Sequence, residues 1–207
     1  MRFGELLAQS NVSEVCELRS PVLGFMAYHG GQLEKVTDVV ASAAAEASGC
    51  SYYAVLQTDE QEVLHLPSKT VSPEESPKLA AFLDHVDVVI TLHGFGRKRL
   101  WHSLLLGGQN RELATHVATF LRRRLPDYDV IDTPAALPRE LAGMHPANPV
   151  NLPPNQGVQI ELPPTVRWNR KGRHWSDHGS AGRAPQVQAL IDALTEAATA
   201  WVSRPAA

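Results

Sequence analysis

Short apolar runs that stop abruptly at a polar residue or a glycine set the pattern of this chain. Residues 22–28 (VLGFMAY) end at His29-Gly30-Gly31, and residues 86–92 (VDVVITL) end at His93-Gly94, as buried strands do. Residues 102–106 close at Gly107-Gly108, and 51–56 and 62–66 are further strand candidates. In 157–162 (GVQIEL) the alternation is that of a strand, with Glu161 as its odd member. Between these runs lie helical patterns. Residues 32–48 are rich in Ala and Val and stop at Gly49, while 73–84 carry acidic residues in their first turn. Residues 110–125 are amphipathic, capped by Asn110 and closed by Arg122, Arg123 and Arg124. A proline-rich stretch over 134–156 breaks the regularity, 163–183 is irregular, aromatic and basic, and 184–203 predicts a final helix. Alternating strands and helices predict an α/β fold, with residues 1–207 as one domain whose core spans about 20–167.

Composition narrows this only at the margins. The 207 residues are 43% hydrophobic and 20% charged, which excludes a disordered chain. With 19 basic and 22 acidic residues the net charge is −3, so a dedicated nucleic-acid binder is not expected. Cys16 and Cys50 show no metal-knuckle spacing, and nothing in the pattern pairs them. No run has the length of a membrane span and the N-terminus has no signal-peptide pattern, so a soluble protein without a membrane partner is expected.

The candidate chemistry lies where strands end. In open α/β sheets ligands bind beyond the carboxyl ends of the strands, and His29, His93 and Glu161 all fall there. Two glycines after His29 allow a sharp turn, and Glu34 follows at the opening of the next predicted helix. Two histidines and a carboxylate form the ligand set of a catalytic zinc site with one open position. A further carboxylate that is not a ligand can then move the proton of an attacking water, and Glu161 is the candidate.

Beyond spacing, His29-Gly30-Gly31-Gln32-Leu33-Glu34 with Thr37 resembles the H-G-G-x-x-E-x-x-T signature of the poly-γ-glutamate hydrolase family of bacteriophages and bacteria. Leu64-His65-Leu66-Pro67-Ser68 is similar to that family's L-H-I-T-S segment, with Pro67 in place of threonine. Thr91-Leu92-His93-Gly94 and Gly107-Gly108-Gln109-Asn110 resemble its H-G and G-G-x-N elements. Asn148-Pro149-Val150-Asn151, then residues 157–162 and Arg167, resemble its N-x-x-N…G-V-Q-L-E-L…R ending.

The resemblance implies a compact relative of zinc carboxypeptidases, with a mixed central β-sheet between helices and one Zn²⁺ per chain. It implies His29, Glu34 and His93 as zinc ligands and Glu161 as general base, acting on γ-glutamyl amide bonds. His65, Asn148, Asn151 and Arg167 become candidates for the substrate rim, Arg167 by pairing bidentately with a glutamyl carboxylate. Arg97, in the run Arg97-Lys98-Arg99 just after His93-Gly94, joins them, because basic loops steer an acidic polymer or peptide into a cleft. Arg170, Lys171 and Arg173 form a second basic run beside Trp168 and Trp175. His174 and His178 there, four residues apart, could bind a metal only on a helix. Two other readings stand beside this one. One is a zinc amidohydrolase acting on another acidic amide, such as a peptidoglycan γ-glutamyl link or an N-acyl amino acid. The other is an inactive module that binds an anionic polymer.

Overall fold

The computed structural model describes residues 1–177 and 182–204. Seven strands form one mixed sheet: β1 (Val12–Glu17), β2 (Ser20–Gly31), β3 (Cys50–Gln57), β4 (Val88–Gly94), β5 (Ser103–Gly107), β6 (Asp129–Ile131) and β7 (Gly157–Leu162). Their order is β1-β3-β2-β4-β7-β5-β6. The central strands β3, β2, β4 and β7 run parallel, β1 is antiparallel to β3, and β5 is antiparallel to β7 but parallel to β6. The helices are α1 (Phe3–Leu7), α2 (Thr37–Ser48), α3 (Pro77–His85), α4 (Arg111–Arg124), the single turn α5 (Pro164–Arg167) and α6 (Pro185–Val202).

Strand parity sorts the sheet's two faces. Phe25, Ala27, Ile90, Leu92, Val158, Ile160 and Leu162 pack with α2, α4 and α6 in the larger core. Met26, Tyr28 and Val89 meet α1 and α3 on the other face, and Val150 from the proline-rich stretch joins them there. Each fully buried Leu, Ile or Phe contributes about 1.5–3 kcal/mol, so this alternation fixes the register firmly. Alternation also decides where polar residues go. With Val158, Ile160 and Leu162 in the larger core, Gln159 and Glu161 must face the proline-rich stretch.

Several sequence expectations need correction. Residues 62–66 are not a strand: β3 already has β1 on one side and β2 on the other. Instead the Gln57 side chain bonds both the N–H and the C=O of Leu64, standing in for a ladder. The helix expected over 32–48 begins only at Thr37, and that expected over 73–84 splits into a turn, Pro73–Glu75, and α3, with Pro77 at a helix start. The 163–183 stretch holds α5 and a small hairpin, β8 (Trp168–Asn169) with β9 (His174–Trp175). His174 is therefore on a strand, and His178 lies outside the described residues. Both cysteines are free thiols.

Candidate metal centre

At the carboxyl ends of β2, β4 and β7 the chain encloses a cavity of about 500 Å³, lined by His29, Glu34, His65, His93, Asn148, Gln159 and Glu161 among others. The first of these residues is placed by a forced turn. Gly31 has φ +70°, and a Cβ there would lie 2.3 Å from the Gln57 carbonyl oxygen, so only glycine lets the chain cross the end of β3. Glu34 is not in a helix, contrary to expectation. Val36 takes φ 80°, a conformation rare for a β-branched residue, and separates Glu34 from α2. The Glu34 N–H donates back to the His29 carbonyl at 2.9 Å, and the Thr37 hydroxyl donates to the Glu34 carbonyl at 2.7 Å. This turn aims the carboxylate at the strand ends.

Glu34 joins the two histidines. Its Oε1 lies 3.1 Å from His29 Nδ1 and its Oε2 3.2 Å from His93 Nδ1, while the Gly94 N–H donates to Oε2 at 2.8 Å. Burial alone would raise the Glu34 pKa, but His29 and His93 outweigh it and hold the carboxyl far below the ordinary range. Across the strand pair, His93 stands in register with Glu161. Burial pushes the Glu161 pKa up to about 7, against the opposing pull of His93, Gln159 and Arg167.

The donor chemistry fits a divalent cation. His29 Nε2 faces the Leu66 carbonyl at 2.9 Å, so that nitrogen carries the hydrogen and Nδ1 presents a lone pair to Glu34. A lone pair against a carboxylate is stable only with a proton or a metal ion between them. Ligand atoms about 2.0–2.1 Å from a tetrahedral zinc are roughly 3.3 Å apart, close to both His–Glu separations. Donor atoms of His29, Glu34 and His65 also all lie within 4.8 Å of one another, so His65 stands beside His93 as a neighbour of the same point.

The rim candidates divide. His65 and Asn148 line the cavity, whereas Asn151, Arg167 and Arg97 do not. Asn151 accepts from the Gln109 N–H and donates to the carbonyls of Gly143 and His145, and so ties the proline-rich stretch to the segment after β5. Arg167 lies behind the site, donating to the Lys35 carbonyl at 2.8 Å and stacked 5.0 Å over Trp175. Arg97 is an exposed partner of Glu140. Residues not singled out from the sequence complete the wall: Gln159, Lys69, Arg139 and His145. Gln159 was readable, being two residues before Glu161 on one strand face. Nothing in the pattern marked Lys69 or Arg139. Gly143 (φ +63°) belongs to the same wall, since a Cβ there would press to 2.7 Å on Gln159 Oε1.

Against known proteins, a family model described as poly-gamma-glutamate hydrolase matches residues 5–182. The chain belongs to the poly-gamma-glutamate hydrolase family. It is therefore a member of a family of hydrolases. Among solved structures, that of a bacteriophage poly-gamma-glutamate hydrolase matches with a TM-score of 0.78 and 18% identity, over 93% of this chain and 90% of that one. A zinc-free structure named YNDL matches with a TM-score of 0.71 and 20% identity, over 91% and 89%. A metallo-carboxypeptidase from Burkholderia cenocepacia shares the fold more distantly, with a TM-score of 0.53 and 12% identity over 96% and 67%. No curated protein matches in sequence. The expected architecture, a mixed central sheet between helices with carboxypeptidase-like neighbours, is the one found.

Proposed function

We propose that this family member is a zinc-dependent hydrolase of γ-glutamyl amide bonds, acting on poly-γ-glutamate, with one ion held by His29, Glu34 and His93. The observation that carries this reading is the Glu34 carboxylate set between two imidazole Nδ1 atoms at the floor of a cavity that also holds Glu161. A bound ion supplies Lewis acidity there, acidifying water and polarising the scissile carbonyl. Glu161, ionised, takes a proton from the attacking water as the carbon–oxygen bond forms. It returns that proton to the departing nitrogen as the carbon–nitrogen bond breaks. Lys69 and Arg139 on the wall supply positive charge for the carboxylates of an acidic substrate.

The donor group formed by His29, Glu34 and His65 supports a second choice of third ligand. His93 is preferred because its Nδ1 lies against Glu34 and its side chain is buried, whereas His65 is exposed. Zinc affinity, measured by chelator competition on His93→Ala and His65→Ala, separates the two. We expect the His93 variant to lose affinity at least 100-fold and the His65 variant less than 10-fold; the reverse order would replace His93 with His65. A panel of poly-γ-glutamate, small γ-glutamyl amides and N-acyl glutamates tests the substrate. Faster turnover of the small amides than of the polymer would discard the polymer.

A further inference from the structure

Behind the proposed ligands runs a buried chain of hydrogen bonds that no step above uses. It passes from Glu161 through Gln159, Asn148 and Tyr28 to His93, and each of these residues is at most 4% exposed. We infer that Tyr28, Asn148 and Gln159 form a positioning relay that fixes which nitrogen His93 offers to the metal and ties that ligand to the base Glu161. The inference rests on the metal-hydrolase reading above.

The direction of every bond follows from which atoms can donate. Gln159 Nε2 faces two acceptors, Glu161 Oε1 at 2.8 Å and the Leu141 carbonyl at 3.4 Å, so the amide nitrogen is pinned on that side. Gln159 Oε1 then receives the Asn148 Nδ2 hydrogen at 2.8 Å. That leaves Asn148 Oδ1 to accept, and it does so from the Val150 N–H at 3.3 Å and the Tyr28 hydroxyl at 3.0 Å. Tyr28 has a single hydroxyl hydrogen, and Asn148 Oδ1 cannot donate, so that hydrogen is committed to Asn148. The Tyr28 oxygen, 2.9 Å from His93 Nε2, must accept. His93 therefore carries its hydrogen on Nε2 and turns the lone pair of Nδ1 toward Glu34. His29 reaches the same tautomer through the Leu66 carbonyl. A ligand histidine whose second nitrogen is held in this way keeps its orientation and its basicity.

The relay is also self-consistent in sequence. Tyr28 falls on the sheet face of Gln159 and Glu161, next to the strand end that bears His29. Asn148 comes from the proline-rich stretch, where Pro149 opens a one-turn helix and Asn148 caps it. The asparagine is thus held by backbone before it meets Gln159.

Metal-free protein labelled with ¹⁵N-histidine, at pH 8, reads the tautomer of His93 directly, and His93→Gln identifies its signals. Wild type is expected to hold a hydrogen on Nε2, whether or not a proton also sits between Nδ1 and Glu34. Tyr28→Phe removes the acceptor, so a mixture of tautomers and zinc binding weakened about 10–100-fold are expected. Asn148→Leu, which removes the acceptor of the Tyr28 hydrogen and frees it to donate to His93 Nε2, should act in the same direction and serves if the Tyr28 variant does not fold. The relay is overturned if the folded variants keep the wild-type tautomer and zinc affinity. Wild type that binds no zinc would instead sink the metal reading, and the tautomer of the metal-free protein would still decide the relay.

Discussion

At the residue scale, Glu161 must stay buried and yet be ionised when water is to lose a proton. Its pKa of about 7 against an ordinary 4.5 gives a sign that can be checked. Between those values the folded state holds a proton that the unfolded chain has released, so the metal-free protein loses stability as pH rises from about 4.5 to about 7. Glu161→Gln removes that cost. The variant should match wild type near pH 4.5 and be more stable at pH 8, by on the order of 1–3 kcal/mol, read as a few degrees in thermal melts. The same substitution should lower kcat by at least 100-fold while leaving zinc affinity nearly unchanged. Equal stability at both pH values would mean that Glu161 is not held in a raised state. Glu34 works in the opposite sense. Its depressed pKa adds stability that is present above the ordinary carboxylate range and is lost as pH falls.

At the scale of elements, Arg167 braces two loops. Its guanidinium donates to the Lys35 carbonyl, one residue past Glu34, and lies 3.5 Å from the Phe95 carbonyl, two residues past His93. Burial lowers its pKa to about 10, and its Nε has no partner. Arg167→Ala should cost about 2–4 kcal/mol in denaturant unfolding, because it strips buried carbonyls of a charged donor. A substrate-binding arginine would instead raise KM and leave the unfolding midpoint in place. This role was not legible in the sequence, where position 167 followed the Glu161 strand as closely as a rim residue would. The strand ends were legible, because an apolar run that stops at His29 or at His93 leaves those side chains nowhere to point but the sheet's edge. β6 was missed because it is three residues long, and β1 because its exposed and half-buried positions carry no continuous apolar run. The order of strands was also out of reach, since it depends on crossovers that periodicity does not encode.

On the scale of the whole molecule, a net charge of −3 coexists with a cavity walled by Lys69 and Arg139. The attraction is local, so a long polyanion should feel it more than a small amide does. Raising the salt concentration should raise KM for poly-γ-glutamate severalfold and leave KM for a small γ-glutamyl amide nearly flat. Arg139→Glu should raise the polymer KM at low salt by several-fold or more, and much less at high salt. Equal salt responses for the two substrates would remove the steering role. Among the described residues, no helix is long and apolar enough to cross a membrane.

The central claim joins metal, base and substrate. It is tested most directly by following the chain length of poly-γ-glutamate over time with wild type and Glu161→Gln, each with and without a chelator. The account predicts shortening with metal-loaded wild type alone. Shortening that persists in the chelated protein, or in Glu161→Gln at near the wild-type rate, would contradict it.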